Sequence, residues 1–320
     1  MSSVEIPAAQ RTRPFRFTVQ ASHMSGPEEL VPLARKSEDL GVAVLTVADH
    51  LDDHLAPIPA LMAAASATTT LRVGSLVFAN DYRHPVMLAK DAASVDVLSG
   101  GRLEFGIGAG WMTDDYRASG IPMDRPGVRI KRLEEAIQII IATWAGESFD
   151  FDGEHYRIDG LVGLPKPVQS PRPPLLIGGG GRRVLSLAGR YADIVGLNPI
   201  LTSGVIDAAA GPSATFEATI EKISWIREAA GDRFGQIELQ TRIHMVLITD
   251  DRDGIFDALS GEFGLTPQQA RRTPHALCGT VDQIVEDLLE RRETLGISTI
   301  GISASSLDDM APVIAKLAGT

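Results

Sequence analysis

The sequence predicts a single (β/α)8 barrel with an insertion between its fourth and fifth strands, and three observations lead there. The chain has 320 residues and 44% hydrophobic content, enough to bury one large core, and barrels of this length commonly run as one domain. Short β-rich runs alternate with longer amphipathic stretches from end to end, the order that gives a parallel sheet with helical crossovers. Eight such runs can be picked out, the number that closes a barrel.

The first run, 15–20, follows a polar start that reads as a flexible tail over residues 1–13, leaving 14–320 as the one domain. A helix over 28–40 stops at Gly41, and its Pro32 is tolerable only within the first turn, where amides are unpaired anyway. The second run is 42–48 and the third 71–78, after which Pro85 opens a helix. Between the fourth run, 102–107, and the fifth, 175–177, residues 111–174 are far more chain than a crossover needs. They contain a helix with an apolar face of Ile130, Leu133, Ile137, Ile140, Ile141 and Trp144. The excess ends in PKPVQSPRPP and reads as an insertion over the C-terminal mouth. The last runs are 194–197, 237–248 and 297–302. Before the eighth, Thr280-Val281-Asp282-Gln283 is a capping box, Val281, Ile284, Val285 and Leu288 form one stripe, and Gly296 stops the helix.

Composition narrows the function. Thirty basic residues against 41 acidic ones give a net charge of −11, and 5% aromatics without basic-aromatic interleaving argue against a nucleic-acid surface. No run of about 18 apolar residues occurs and the start lacks the apolar middle of a secretory signal, so the expectation is a cytoplasmic protein without a membrane partner. Cys278, the one cysteine, falls in an expected loop with no histidine beside it. No Cys/His spacing suits zinc, and His54, four residues after His50, finds no third ligand, so no metal is expected. Hydrolase chemistry lacks both a GxSxG elbow and a P-loop. A small-molecule partner remains.

In a parallel barrel, reactive groups stand where strands end. Strand two delivers Asp49 and His50, an imidazole able to donate or accept a proton with a carboxylate next to it; the ordinary alternative is a turn-capping Asp and a half-buried His. Strand three contains Gly74 and Ser75 before Leu76, which suits a bulge, a close approach to a flat ligand, or simply a strand with a glycine. Strand four bares Gly106, Gly108 and Gly110, and Trp111 after them either stacks on a ligand or packs beneath the insertion. Strand five runs into Gly178, Gly179, Gly180 and Gly181 and then a helix, with Arg182 and Arg183 at hand: bare amides for a phosphate, or a flexible turn. His23, Asn80 and Asn198 are further pocket liners, or plain turn residues.

Taken in order, ADHL at 48–51, GSLVFANDYRHP, LSGGRLEFGIGAGW, IGGGGRRVLSLAGRYADIV and CGTVDQIVEDL resemble luciferase-like monooxygenases, particularly their deazaflavin-dependent oxidoreductase branch, over nearly the whole chain after Arg13. The resemblance implies a barrel with one insertion, a cofactor across the C-terminal mouth and a homodimer. It implies coenzyme F420 or, alternatively, FMN supplied reduced by a separate reductase; a flavin-sequestering barrel without catalysis is the non-enzyme alternative. It makes Asp49 and His50 active-site groups, with His50 the proton carrier, and puts a non-proline cis peptide in the segment at Ser75-Leu76. Gly108, Ala109 and Gly110 would approach the cofactor's side chain, Gly178 to Arg182 its phosphate, with Lys166, Arg172 and Arg183 as further cations. Deazaflavin-dependent sugar-phosphate and alcohol dehydrogenases carry a glutamate just after the fourth-strand glycines. Trp111 stands there instead, which argues against those two reactions.

Overall fold

The computed structural model describes residues 6–201, 204, 208–261 and 264–320. In chain order its strands are β1 (Arg16–Ala21), β2 (Val44–Val47), β3 (Arg72–Ser75), β4 (Phe78–Ala79), β5 (Leu103–Gly108), β6 (Ser148–Asp152), β7 (Arg157–Val162), β8 (Leu175–Gly179), β9 (Ile194–Leu197), β10 (Glu238–Arg242), β11 (Met245–Ile248), β12 (Ala276–Gly279) and β13 (Ile297–Ser303). The helices are α1 (Ala8–Arg11), α2 (Pro27–Asp39), α3 (Pro57–Ala67), α4 (Pro85–Leu98), α5 (Thr113–Ser119), α6 (Pro126–Ala145), α7 (Arg182–Tyr191), α8 (Phe216–Ala230), α9 (Arg252–Leu259), α10 (Pro267–Arg272), α11 (Val281–Leu295) and α12 (Leu307–Leu317). They form two compact units: Met1–Gln20, Lys36–Ala43 and Ile177–Thr320 in the first, Ala21–Arg35 and Val44–Leu176 in the second. No helix among the described residues is long and apolar enough to cross a membrane.

In the first unit, β1 runs parallel to β13, β13 to β10 and β10 to β9, with Phe17 opposite Ile300 and Val19 opposite Ile302. Phe17, Val19, Val195, Leu239, Ile300 and Ile302 are all buried, the near-continuous apolar reading of strands covered on both faces. The predicted run 237–248 splits in two: β10 ends at Arg242, and β11 leaves to pair, parallel, with β12. Cys278 therefore lies on a strand rather than in a loop, buried among Phe256, Ala270 and Ala276. The four residues of β12 are too few to show a period. Burial pushes its thiol up, away from the reactive thiolate.

At the chain start, residues 1–5 lie outside the described part, but 6–13 are not a tail. Ile6 and Gln10 are buried, and Gln10 Nε2 donates to the carbonyls of Phe234 at 3.0 Å and Ile237 at 3.2 Å. Two long-range bonds from one amide tie α1 down, a partnership no local pattern announces. The capping box of α11 forms in both directions, Ile284 and Leu288 are buried, and Gly296 ends the helix at φ +70°.

In the second unit, β2 is parallel to β3, and β3 and β4 are both parallel to β5. The predicted run 71–78 breaks after Ser75, and the non-proline cis bond lies at Leu76-Val77, one bond beyond the place implied for it. A Cβ on Gly74 would stand 2.3 Å from the Glu104 carbonyl oxygen, and one on Gly106 2.0 Å from that of Ser75. Those glycines let the backbones of β3 and β5 close on each other, so Gly74 serves its neighbour strand and not a flat ligand. Pro32 falls in the second turn of α2, beyond the first turn that would accommodate it freely, and gives the Glu28 carbonyl no amide there.

Within 111–174, α6 packs on α4: Trp144 is buried and its Nε1 donates to the Ala89 carbonyl at 2.9 Å. Leu133, Ile137 and Ile140 share that buried face, so α6 is the crossover helix and the extra chain reduces to α5 and the antiparallel hairpin β6–β7. Glu135 of α6 holds the hairpin's turn by accepting from the amides of Glu154, His155 and Tyr156.

Candidate active site

Strand β2 is buried throughout and feeds directly into Asp49 and His50. The two were expected to work side by side; the structure gives them different partners. Asp49 is buried, accepts from Arg83 Nη1 and Nη2 at 2.5 and 2.9 Å, and also takes the amide of Ala79 at 3.0 Å. Both of its oxygens are thereby taken up by the end of β4 and by Arg83, and neither meets His50.

The carboxylate that meets His50 is Asp115, in the first turn of α5. His50 Nδ1 is 2.8 Å from Asp115 Oδ2. The same buried carboxylate accepts from the Leu51 amide at 3.1 Å and from the Tyr82 hydroxyl at 3.0 Å. An ionised carboxylate only accepts, so the imidazole proton sits on Nδ1 and Nε2 is left for chemistry. Burial and the Asp115 charge push the Tyr82 phenol above its usual range, which keeps it a donor. Trp111, half-buried, meets the His50 ring edge-on, with centroids 5.5 Å apart and planes at 89°.

A second network braces this one. The Tyr116 hydroxyl donates to Asp81 at 3.0 Å, and Arg132 of α6 reaches the other Asp81 oxygen at 2.9 Å and pairs with Asp124 as well. Burial, then the Asp81 charge, raises the Tyr116 phenol. Gly110, at φ +75°, lies under that tyrosine: a Cβ there would stand 1.9 Å from the hydroxyl. Gly108 ends β5, and the Ala109 carbonyl accepts from Tyr116 at 3.4 Å.

Ser75 Oγ, expected to face a cofactor, donates to the Val47 carbonyl at 2.9 Å and is buried; Leu76 is half-buried. Asn80 is buried with Nδ2 3.5 Å from the Tyr156 hydroxyl, while its Oδ1 has no hydrogen-bond partner. His23, just past β1, is exposed at the surface and bonds Asp53 through Nδ1 at 2.6 Å. Its ring lies 4.3 Å from that of His54, which lies 5.5 Å from that of His50.

Gly178 to Arg182 and Asn198 belong to the first unit. Gly178 and Gly179 end β8 and Gly181 caps α7. Cβ atoms on Gly179 and Gly180 would meet Val184 at 2.3 Å and the Pro199 carbonyl at 2.5 Å, so packing already explains two of the four glycines. Arg182 pairs at the surface with Glu228 at 3.1 Å. Asn198 donates its amide to the Gly179 carbonyl at 3.0 Å and accepts on its own carbonyl from the buried Lys222.

Asp115, Tyr82 and Arg83 escaped the sequence reading. Asp114-Asp115 looks like ordinary acidic first-turn composition, and Tyr82 and Arg83 like loop residues before Pro85.

A family model described as luciferase-like monooxygenase matches residues 12–259. The chain belongs to that family. Luciferase-like relatives differ in what their names say they use. Over 266 residues the chain is 29% identical to the F420-dependent glucose-6-phosphate dehydrogenase of Nakamurella multipartita, covering 80% of this chain and 75% of that one. Over 131 residues it is 32% identical to the FMNH2-dependent dimethylsulfone monooxygenase of Pseudomonas putida, covering 41% of this chain and only 36% of that protein. The solved coenzyme F420-dependent tetrahydromethanopterin reductase of Methanopyrus kandleri superposes with TM-score 0.75 at 16% identity, over 96% of this chain and 99% of that one. A long-chain alkane monooxygenase superposes with TM-score 0.76 at 14% identity, over 96% and 91%. The fold class of this luciferase-like chain is the (β/α)8 barrel expected from its sequence.

Proposed function

We propose that the chain is a coenzyme F420-dependent oxidoreductase that moves a hydride between the deazaflavin and a small organic substrate. The observation that carries this reading is the His50–Asp115 pair: a buried carboxylate fixes the imidazole's tautomer and orientation, leaving Nε2 to hold or deliver a proton beside Trp111. The deazaflavin is favoured over FMN because the relative named for it aligns over 80% of the chain, and the one named for FMNH2 over 41%.

The residues fit such a group. Asn80 Oδ1 is a buried acceptor without a partner, and a planar cofactor ring bearing N–H groups supplies the missing donor. Ser75, Leu76, Asn80, Gly108, Ala109 and Gly110 would hold it. When bound, the deazaflavin supplies the hydride donor or acceptor. The protein's part is alignment and proton movement at His50 Nε2, with Tyr82 and Leu51 keeping Asp115 in place. The substrate is not taken from the dehydrogenase relative's name, since Trp111 stands where the resemblance places that reaction's glutamate. As a separate assignment within the first unit, the amides of Gly178 to Gly181 at the start of α7 take a phosphate. Arg182 contributes less than expected, being held by Glu228. A cytoplasmic homodimer completes the proposal.

The FMN-dependent monooxygenase fed by a reductase is the second reading, favoured by the name of the dimethylsulfone relative. Titrating the purified, cofactor-free protein with each cofactor separates the two. Micromolar binding of F420 with none of FMN is expected, and the reverse would overturn the first reading. Reduced coenzyme mixed with carbonyl, imine and enone compounds, followed by its near-visible absorbance, then defines the reaction; no turnover on any of them favours a cofactor-sequestering role.

A further inference from the structure

In the sequence His50 and His54 have no third metal-binding partner; in the folded chain His54 has two, and His50 is not one of them. His23 follows β1, and Asp53 and His54 follow β2. One ligand atom from each of the three, an imidazole nitrogen or a carboxylate oxygen, lies within 4.8 Å of the others. We propose that His23, Asp53 and His54 bind a divalent transition-metal ion of the zinc, cobalt or nickel kind.

Three features point to this site. First, His54 Nδ1 is paired with the Asp52 carboxylate, which fixes the ring and leaves Nε2 as the ligand, the arrangement in which a carboxylate orients a metal-binding imidazole. Second, His23 has φ +54°, the one non-glycine residue at positive φ among those described. That conformation is sparsely populated for a histidine and sets its ring 4.3 Å from that of His54. Third, His54 is nearly buried while His23 and Asp53, bonded to each other, are open, so an ion from solution meets two accessible ligands over one shielded ligand.

The donor set narrows the metal. Two imidazoles and one carboxylate suit zinc, cobalt, nickel and ferrous iron, whereas magnesium and calcium ask for oxygen throughout. Bonds of about 2.0–2.2 Å place ligand atoms about 3.3 Å apart in a tetrahedron, so the open side chains close by about 1.5 Å at most. Three protein ligands leave a fourth position for water or an incoming group. His50 stays outside the set because its Nδ1 belongs to Asp115.

The test is calorimetric titration of the untagged full chain with zinc, and visible absorption after cobalt addition. One ion per chain is expected, with a cobalt d–d band of low-coordinate type. His23→Ala and Asp53→Asn alter exposed side chains and should each weaken binding at least about tenfold, and Asp52→Asn by about tenfold through the loss of orientation. No zinc uptake by the unsubstituted chain, or affinity unchanged in both His23→Ala and Asp53→Asn, would overturn the proposal.

Discussion

His50 depends on a residue 65 positions away in the chain, and that dependence can be measured. Positioned acid-base groups contribute roughly 100- to 10,000-fold to rate, so His50→Ala should lower kcat by at least about 100-fold. Asp115→Asn keeps the shape but offers the imidazole an N–H, which reverses the tautomer. It should lower kcat by more than about tenfold with KM little changed, and rescue by Asp115→Glu but not by the amide would mark positioning through charge. An unchanged kcat in both His50→Ala and Asp115→Asn removes the proton relay. Gly110→Ala combines a positive φ with a Cβ 1.9 Å from a hydroxyl that Asp81 holds. A loss of about 2–3 kcal/mol in urea unfolding is expected. At this scale the sequence showed Asp49 and His50 because strand ends are predictable, but not which carboxylate serves the imidazole. Adjacent residues 49 and 50 point different ways, and the group that meets His50 arrives from α5, through tertiary folding alone.

Among the elements, those with a strong period or explicit punctuation were readable. The apolar face of α6 and the capping box of α11 are local facts: the box forms, and of the face Leu133, Ile137, Ile140 and Trp144 are buried, with Ile130 and Ile141 half-buried at its margin. Less readable were the breaks: the run 71–78 interrupted at Leu76-Val77, the run 237–248 divided between β10 and β11, and β12 too short for any pattern. A hydrophobic run does not record where its pairing partner changes. The assignment of α6 as a crossover helix has its own consequence. Trp144→Ala removes a fully buried side chain and the second donor to the Ala89 carbonyl, which should cost about 3–5 kcal/mol. Trp144→Phe, which loses the N–H but keeps most of the volume, should cost markedly less; equal losses on denaturant titration would put α6 elsewhere.

For the molecule as a whole, acid is the sharpest probe. His275 is buried, and burial pushes its imidazole from 6.5 down to about 3, the hydrogen bond to the Arg242 carbonyl only partly opposing this. The unfolded chain therefore takes up a proton that the folded chain refuses, so this group's contribution is fully present above about pH 6.5 and falls away as pH drops toward 3. Urea midpoints from pH 7.5 to 4.5 should fall more steeply for the natural chain than for His275→Gln, and parallel curves would count against it. Light scattering tests the proposed homodimer. The fold class was legible because eight β-rich runs and their helices recur in order over the whole length, a regularity that the TM-scores of 0.75 and 0.76 repeat.

Asp115 belongs to the stretch of chain that enlarges the β5 crossover, yet it grips the imidazole that β2 presents. A helix outside the barrel strands thus supplies half of the pair proposed to handle the proton. Transplanting α5 and its flanks between related proteins should re-aim His50 while leaving the strands that carry it untouched, a way for one scaffold to acquire new reactivity through a single helix.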